Sequence, residues 1–134
     1  MGNKLVKAYD LGGSVEDSAK INRAASVIRS NHLRGLHLLE LNKFTFDENA
    51  SQPENAFLFQ MMEINEEIDD AKTLSDLDNI KSENDAEVER LNLVIFRAFE
   101  EKDFSKALDY LNEMKYRERV KIRLEEKVEF LQKI

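Results

Sequence analysis

One proline, Pro53, and four glycines are all the helix breakers in 134 residues, and this scarcity constrains the fold more than any other feature of the chain. Proline removes a backbone donor and clashes with the preceding turn, and glycine costs a helix interior roughly 1 kcal/mol relative to alanine. A chain with so few of either can sustain long helices. Apolar residues recur at spacings of three and four, no stretch of any length alternates like a strand, and there is no internal repeat. The expected fold class is all-α.

The punctuation divides the chain. Residues 1–13 end in Gly12-Gly13 and read as a frayed N-terminus. Ser14 is a candidate N-cap for a helix at about 15–30 carrying Ile21, Ala24, Ala25 and Ile28. A break near Asn31 leads to a short helix at about 32–42 with Leu33, Leu36 and Leu39. Residues 43–53 form a linker of Asp, Asn and Ser around the one proline. Three helices are expected beyond it, at about 54–71, 75–101 and 103–132, the last capped by Asp103. Joined by short turns, they would form an antiparallel three-helix bundle over 54–134.

Charge narrows the function classes. The net charge of −7 is concentrated in residues 54–101, where fourteen acids face four bases. Such a stretch repels phosphate backbones, which argues against nucleic acid as a partner and suits a basic protein surface; a solvated acidic face is the plainer alternative. No apolar run approaches the roughly 20 residues needed to span a bilayer, and the N-terminus has no secretory or transit pattern. A soluble intracellular protein is expected. With no cysteine, thiolate ligation of zinc or of an iron–sulfur cluster is excluded.

The helix at 54–71 has two faces. At about 100° per residue, Phe57, Met61, Ile64, Ile68 and Ala71 share one stripe, which is the expected core. Leu58 and Met62 fall about 100° or more from its centre, and Phe59 lies almost opposite. Glu63, Glu66 and Asp70 surround them. Three large apolar side chains clustered outside a core stripe need a partner: either another protein, through an apolar centre with a charged rim, or the chain's own helices at 15–42. The last helix changes face part-way. Phe104, Ala107, Leu108, Leu111 and Met114 make one stripe, and Val120, Leu124, Val128 and Leu131 another, rotated by more than a third of a turn. Tyr116 stands off the first stripe among Lys115, Arg117, Glu118 and Arg119. It reads equally as a snorkelling surface residue and as an interface anchor.

Catalytic patterns do not appear. His37 and Glu40 share a helical face, but two ligands do not make a metal site. The acidic run at 63–70 lacks the Glu-x-x-His pairs of di-iron bundles, and no glycine-rich phosphate loop occurs. An enzyme is not expected, and no cofactor is implied.

Three separated segments resemble one family. Phe57 through Ile68 (FLFQMMEINEEI) is similar to the opening C-terminal-domain helix of HscB-type iron–sulfur co-chaperones. Phe99-Glu100-Glu101-Lys102-Asp103-Phe104, followed by Leu111 through Tyr116, resembles their last hairpin with its Leu/Met-Lys/Arg-aromatic signature. Ile21 through Ala24 and Arg34 through Leu41 resemble the end of their J-domain and the turn out of it. The resemblance covers about residues 18–125 in the family's order. It implies a remnant of the J-domain at 14–42 and a scaffold-binding domain at 54–134. It implies as partners the iron–sulfur scaffold protein and a dedicated heat-shock chaperone ATPase. It puts scaffold binding on Leu58, Phe59, Met62, Glu63, Glu66 and Tyr116, with Asp70 a looser match. It also implies a mitochondrial location in a eukaryote or a cytoplasmic one in a bacterium. One departure stands out. Neither His32 nor His37 is followed by proline, so the His-Pro-Asp motif of J-domains is missing, and about ten residues before Gly12-Gly13 leave no room for the J-domain's first helices. The expectation is a shortened form, or a member that binds scaffold without stimulating the chaperone. The rival expectation is a general helical adaptor or self-associating bundle, in which Leu58, Phe59 and Met62 pack against the same chain or a second copy.

Overall fold

The computed structural model describes residues 30–47 and 52–134. The expected helix at 15–30, its Ser14 cap, the frayed start and the segment at 21–24 lie outside the described residues, Ser30 excepted. The chain divides into two compact units, residues 1–46 and 47–134. Among the described residues there are four helices and no strand: α1 (Asn31–Leu41), α2 (Asn55–Asp70), α3 (Leu74–Glu100) and α4 (Phe104–Gln132). The fold is all-α, as the scarcity of breakers requires.

In the first unit, α1 begins one residue earlier than the apolar spacing suggests. Ser30 is extended, and its hydroxyl accepts from the Leu33 N–H at 3.1 Å, so it satisfies one of the donors that a helix start leaves open. Asn31 is therefore the first helical residue, and the chain is extended just before it, at Ser30. His32, Gly35, Leu36 and Leu39 form the buried face.

In the second unit, each turn has a chemical stop and start. At α3, the Thr73 hydroxyl accepts from the Asp76 N–H at 3.2 Å while the Asp76 carboxylate accepts from the Thr73 N–H at 3.0 Å, a reciprocal capping box. At the α3–α4 turn, Lys102 takes a left-handed φ of 57°, which lets the Asp103 N–H donate back to the Ala98 carbonyl at 2.9 Å. Asp103 then caps α4 by accepting from the Lys106 N–H at 3.2 Å.

The helices run up, down and up, so α2 and α4 are parallel neighbours. Their core comprises Met61, Ile68 and Ala71 from α2 and its cap, Leu77 and Ile80 from α3, and Val120 and Leu124 from α4. Phe57, Ile64, Tyr116, Val128 and Leu131 pack around it, half-buried. This arrangement explains why the apolar face of α4 turns. Ala107, Leu108, Leu111 and Met114 are buried nearer the hairpin turn, whereas Val120 and Leu124 must face α2 as well as α3. The rotation of the stripe places the second half of α4 in the seam between two helices. Arg117 sits at the changeover and is itself buried.

Candidate functional site

The α2–α4 seam is pinned at two ends. Near the start of α2, the rings of Phe57 and Tyr116 meet edge to face with centroids 6.0 Å apart. Near its end, the Asp69 carboxylate accepts from Arg123 Nη2 at 2.8 Å, and the Asp69 carbonyl accepts from Lys127 Nζ at 2.9 Å. The helical period then orders the side chains between these pins. Leu58, Met62, Asn65 and Asp69 follow one another by four, three and four, which makes them one row along α2. Since Asp69 reaches α4, this row lies on the flank of α2 that borders α4. Phe59 and Glu66 lie on the crest of α2. Glu63 and Asp70 lie on the far flank, roughly 80–140° round the helix from Leu58 and Met62, past the crest.

Exposure follows this geometry. Phe59 and Met62 keep 64% and 57% of their surface exposed, as Leu93, Phe96, Ile122 and Phe130 do on the other helices, at 54–63%; what sets the α2 pair apart is the acids around it. Glu63, Glu66 and Asp70 are exposed. Leu58 differs from its neighbours in being half-buried. Tyr116 is half-buried as well, packed on the core by one side. Six of the seven expected site residues share α2, and Tyr116 meets α2 at Phe57. Tyr116 is thus a core-edge residue that keeps part of its surface exposed.

Two cations stand close to the Tyr116 ring. Lys115 Nζ is 5.5 Å from its centroid and the Arg119 guanidinium carbon 5.4 Å. These distances fit cation–π attraction to the ring face. Beneath this layer is a buried polar pair. Asn84 Nδ2 donates to the Arg117 backbone carbonyl at 3.1 Å, and Arg117 Nη1 donates to Asn84 Oδ1 at 3.3 Å. Arg117 is only 3% exposed, its Nε has no partner, and its guanidinium stands 5.8 Å from the Phe57 ring. Burial lowers its pKa, since desolvation disfavours the charged form. A small cleft beside it is lined by Pro53, Glu54, Phe57, Asp109, Asn112 and Glu113. There, burial raises the Glu113 carboxyl above the usual range, while Arg90 and Arg117 pull it down and Glu87 and Glu54 push it up. The cleft is too acidic to attract an anion.

Among the described residues, no group of three or more His, Asp or Glu is placed to hold a metal ion, and no helix is long and apolar enough to cross a membrane. His37 Nδ1 lies 3.9 Å from Glu40 and the pair acquires no third ligand there. The seam has an apolar middle and charged margins.

The family model described as the HSCB C-terminal oligomerisation domain matches residues 53–125, which contain α2, α3 and most of α4. The chain belongs to the HscB family. It is similar to the mouse protein named iron-sulfur cluster co-chaperone protein HscB, with 32% identity over 104 residues, 77% of this chain and 44% of that protein. The human protein of the same name is 30% identical over the same shares. The HscB homologue of Arabidopsis thaliana is 26% identical over 117 residues, 87% of this chain and 46% of that protein. The chain thus spans less than half the length of these HscB relatives. No solved structure matches.

Sequence reasoning missed three features of this HscB-type domain. It took Phe57 as plain core, whereas the ring bridges α2 to Tyr116. It missed the Asn84–Arg117 pair, although a cation three residues from Met114 and three from Val120 interrupts an apolar row and is a legible signal. It noted the cations around Tyr116 without assigning them a position on the ring.

Proposed function

We propose that this chain is a protein-binding module of an iron–sulfur cluster co-chaperone, and that it recognises an iron–sulfur scaffold protein through Leu58, Phe59, Met62 and Tyr116. Glu63, Glu66 and Asp70 form the acidic margin. The relatives that carry the co-chaperone name support the cellular role. The observation that supports the site is the exposure of Phe59 and Met62 beside a Tyr anchored by Phe57. Apolar anchors that are rigidly held and partly desolvated before binding are the groups that dominate interface energies. The module needs no bound metal for this, and without cysteine it has no thiolate to hold a cluster.

In this reading the domain at 54–134 carries the scaffold to a heat-shock chaperone ATPase that a J-domain engages. The segment at 14–42 is read as the end of such a J-domain. This sequence contains no His-Pro-Asp, so ATPase stimulation is not assigned to the chain as it stands. The deciding experiment is titration of the purified chain with a purified scaffold protein. Saturable one-to-one binding that Tyr116→Ala and Met62→Ala each weaken supports the reading. Absence of binding overturns it.

A further inference from the structure

The charges of the seam are sorted by side. On α2, the margin away from α4 holds Glu63 and Asp70, with Glu66 on the crest. On α4, the cations Arg119, Arg123 and Lys127 line the same surface beyond Tyr116, with Lys115 above them. The two nearer the end of α2 are already engaged, both by Asp69. No ion pair to a carboxylate forms at Lys115 or Arg119 among the described residues; both stand by the Tyr116 ring, 5.5 and 5.4 Å from its centroid. A face that contained only the acidic margin would suit a partner with one basic edge. This face has margins of opposite sign, separated by the apolar middle of Leu58, Met62 and Tyr116.

We propose that Lys115 and Arg119 are specificity-determining residues of the scaffold-binding face, which engage carboxylates on the partner and thereby fix the direction in which it crosses α2. The inference rests on the proposed scaffold-binding reading and deepens it. The docking segment of the scaffold carries an apolar strip with a basic edge on one side and an acidic edge on the other. Its bases lie over Glu63 and Glu66, and its acids over Lys115 and Arg119. Docked the other way round, the same segment would set like charges against each other on both margins. Repulsion of that kind selects an orientation more effectively than attraction alone. The Tyr116 ring holds both cations near the seam, so less of their freedom is lost on binding.

The test is association kinetics of the full chain with purified scaffold protein at about 0.1 M and about 1 M salt, where the screening length falls from about 10 Å to about 3 Å. Arg119→Glu and Lys115→Glu should each slow association about fivefold at the lower salt and scarcely at the higher. Arg119→Lys should remain near the unsubstituted chain. Glu63→Lys, of opposite sign, should also slow association. A wholly basic partner edge gives a different pattern, because Arg119→Glu would then speed association; equal or faster association of both α4 reversals overturns the proposal. Equal losses for Arg119→Gln and Arg119→Glu, unaffected by salt, would mean that the cation merely braces the ring, and would also overturn it. Failure of the underlying reading looks different: the unsubstituted chain does not bind, or Leu58→Ala and Tyr116→Ala bind as it does.

Discussion

Phe57 and Tyr116 stand edge to face, with centroids 6.0 Å apart and ring planes 82° apart, and this contact ties the start of α2 to the middle of α4. It makes stability and recognition separable at one residue. Tyr116→Phe keeps the ring against Phe57 and should retain the melting temperature within about 2 °C. Tyr116→Ala removes an aromatic pair worth about 0.5–1.5 kcal/mol beyond the buried area and should lower it clearly. Thermal unfolding of the two variants checks this. Equal losses would mean that the hydroxyl, not the ring contact, matters at this position.

The two faces of α2 should differ in their response to truncation. Phe59→Ala and Met62→Ala should shift stability by about 0.5 kcal/mol or less, because both side chains are already largely in water. Ile68→Ala, at 1% exposure, should cost about 2–5 kcal/mol. Leu58→Ala should fall between these because Leu58 is half-buried. Denaturant unfolding gives all four numbers, and a loss at Phe59 as large as that at Ile68 would show that the outer face is buried in solution.

The Asn84–Arg117 pair should behave as a unit. Asn84→Ala removes the acceptor of the guanidinium and the donor to the Arg117 carbonyl, and leaving such groups unpaired in the interior costs about 1–3 kcal/mol. Arg117→Met leaves Asn84 Oδ1 unpaired instead. Replacing both, as Asn84→Leu with Arg117→Met, should cost less than the sum of the singles, because no buried charge remains without an acceptor. A double-mutant cycle measures the coupling, and additive losses would contradict the pairing.

The α3 cap should appear as a pH effect. Hydrogen bonds from the backbone N–H groups of Lys72 and Thr73, then from the Thr73 side chain, hold the Asp76 carboxyl below its ordinary value. A depressed acid stabilises the fold in full above the unfolded-state value of about 3.9 and loses that contribution as pH falls through the lower folded value. Asp76→Asn should therefore destabilise the chain at neutral pH and flatten its stability profile below about pH 4. Profiles of the two chains that stay parallel down to pH 2 would exclude the cap as the cause.

A steady-state ATPase assay with a heat-shock chaperone should show no stimulation by this 134-residue chain. The motif that J-domains place between their main helices is not in the sequence. Stimulation of several-fold would reverse that expectation.

Much of this protein is readable without coordinates. The paucity of glycine and proline, the three-and-four spacing and the Asp103 cap act within a few residues of themselves, so they place the four described helices to within about a residue; Ser30 and Thr73 cap just as locally but are not among the caps expected from the sequence. The same period puts Phe59 and Met62 opposite the core stripe of α2, since a helix face is a local property. What lies between helices is not local. The pairing of Tyr116 with Phe57, the engagement of Arg123 and Lys127 by Asp69, and the reach of Arg117 to Asn84 join residues 33 to 59 positions apart. Only the packing of α2 against one half of the α3–α4 hairpin decides which side of each helix meets the other. That choice depends on the summed fit of the core, to which no single residue's periodicity is a guide. It is why Leu58 turned out to be half-covered, and why the ring of Tyr116 meets that of Phe57.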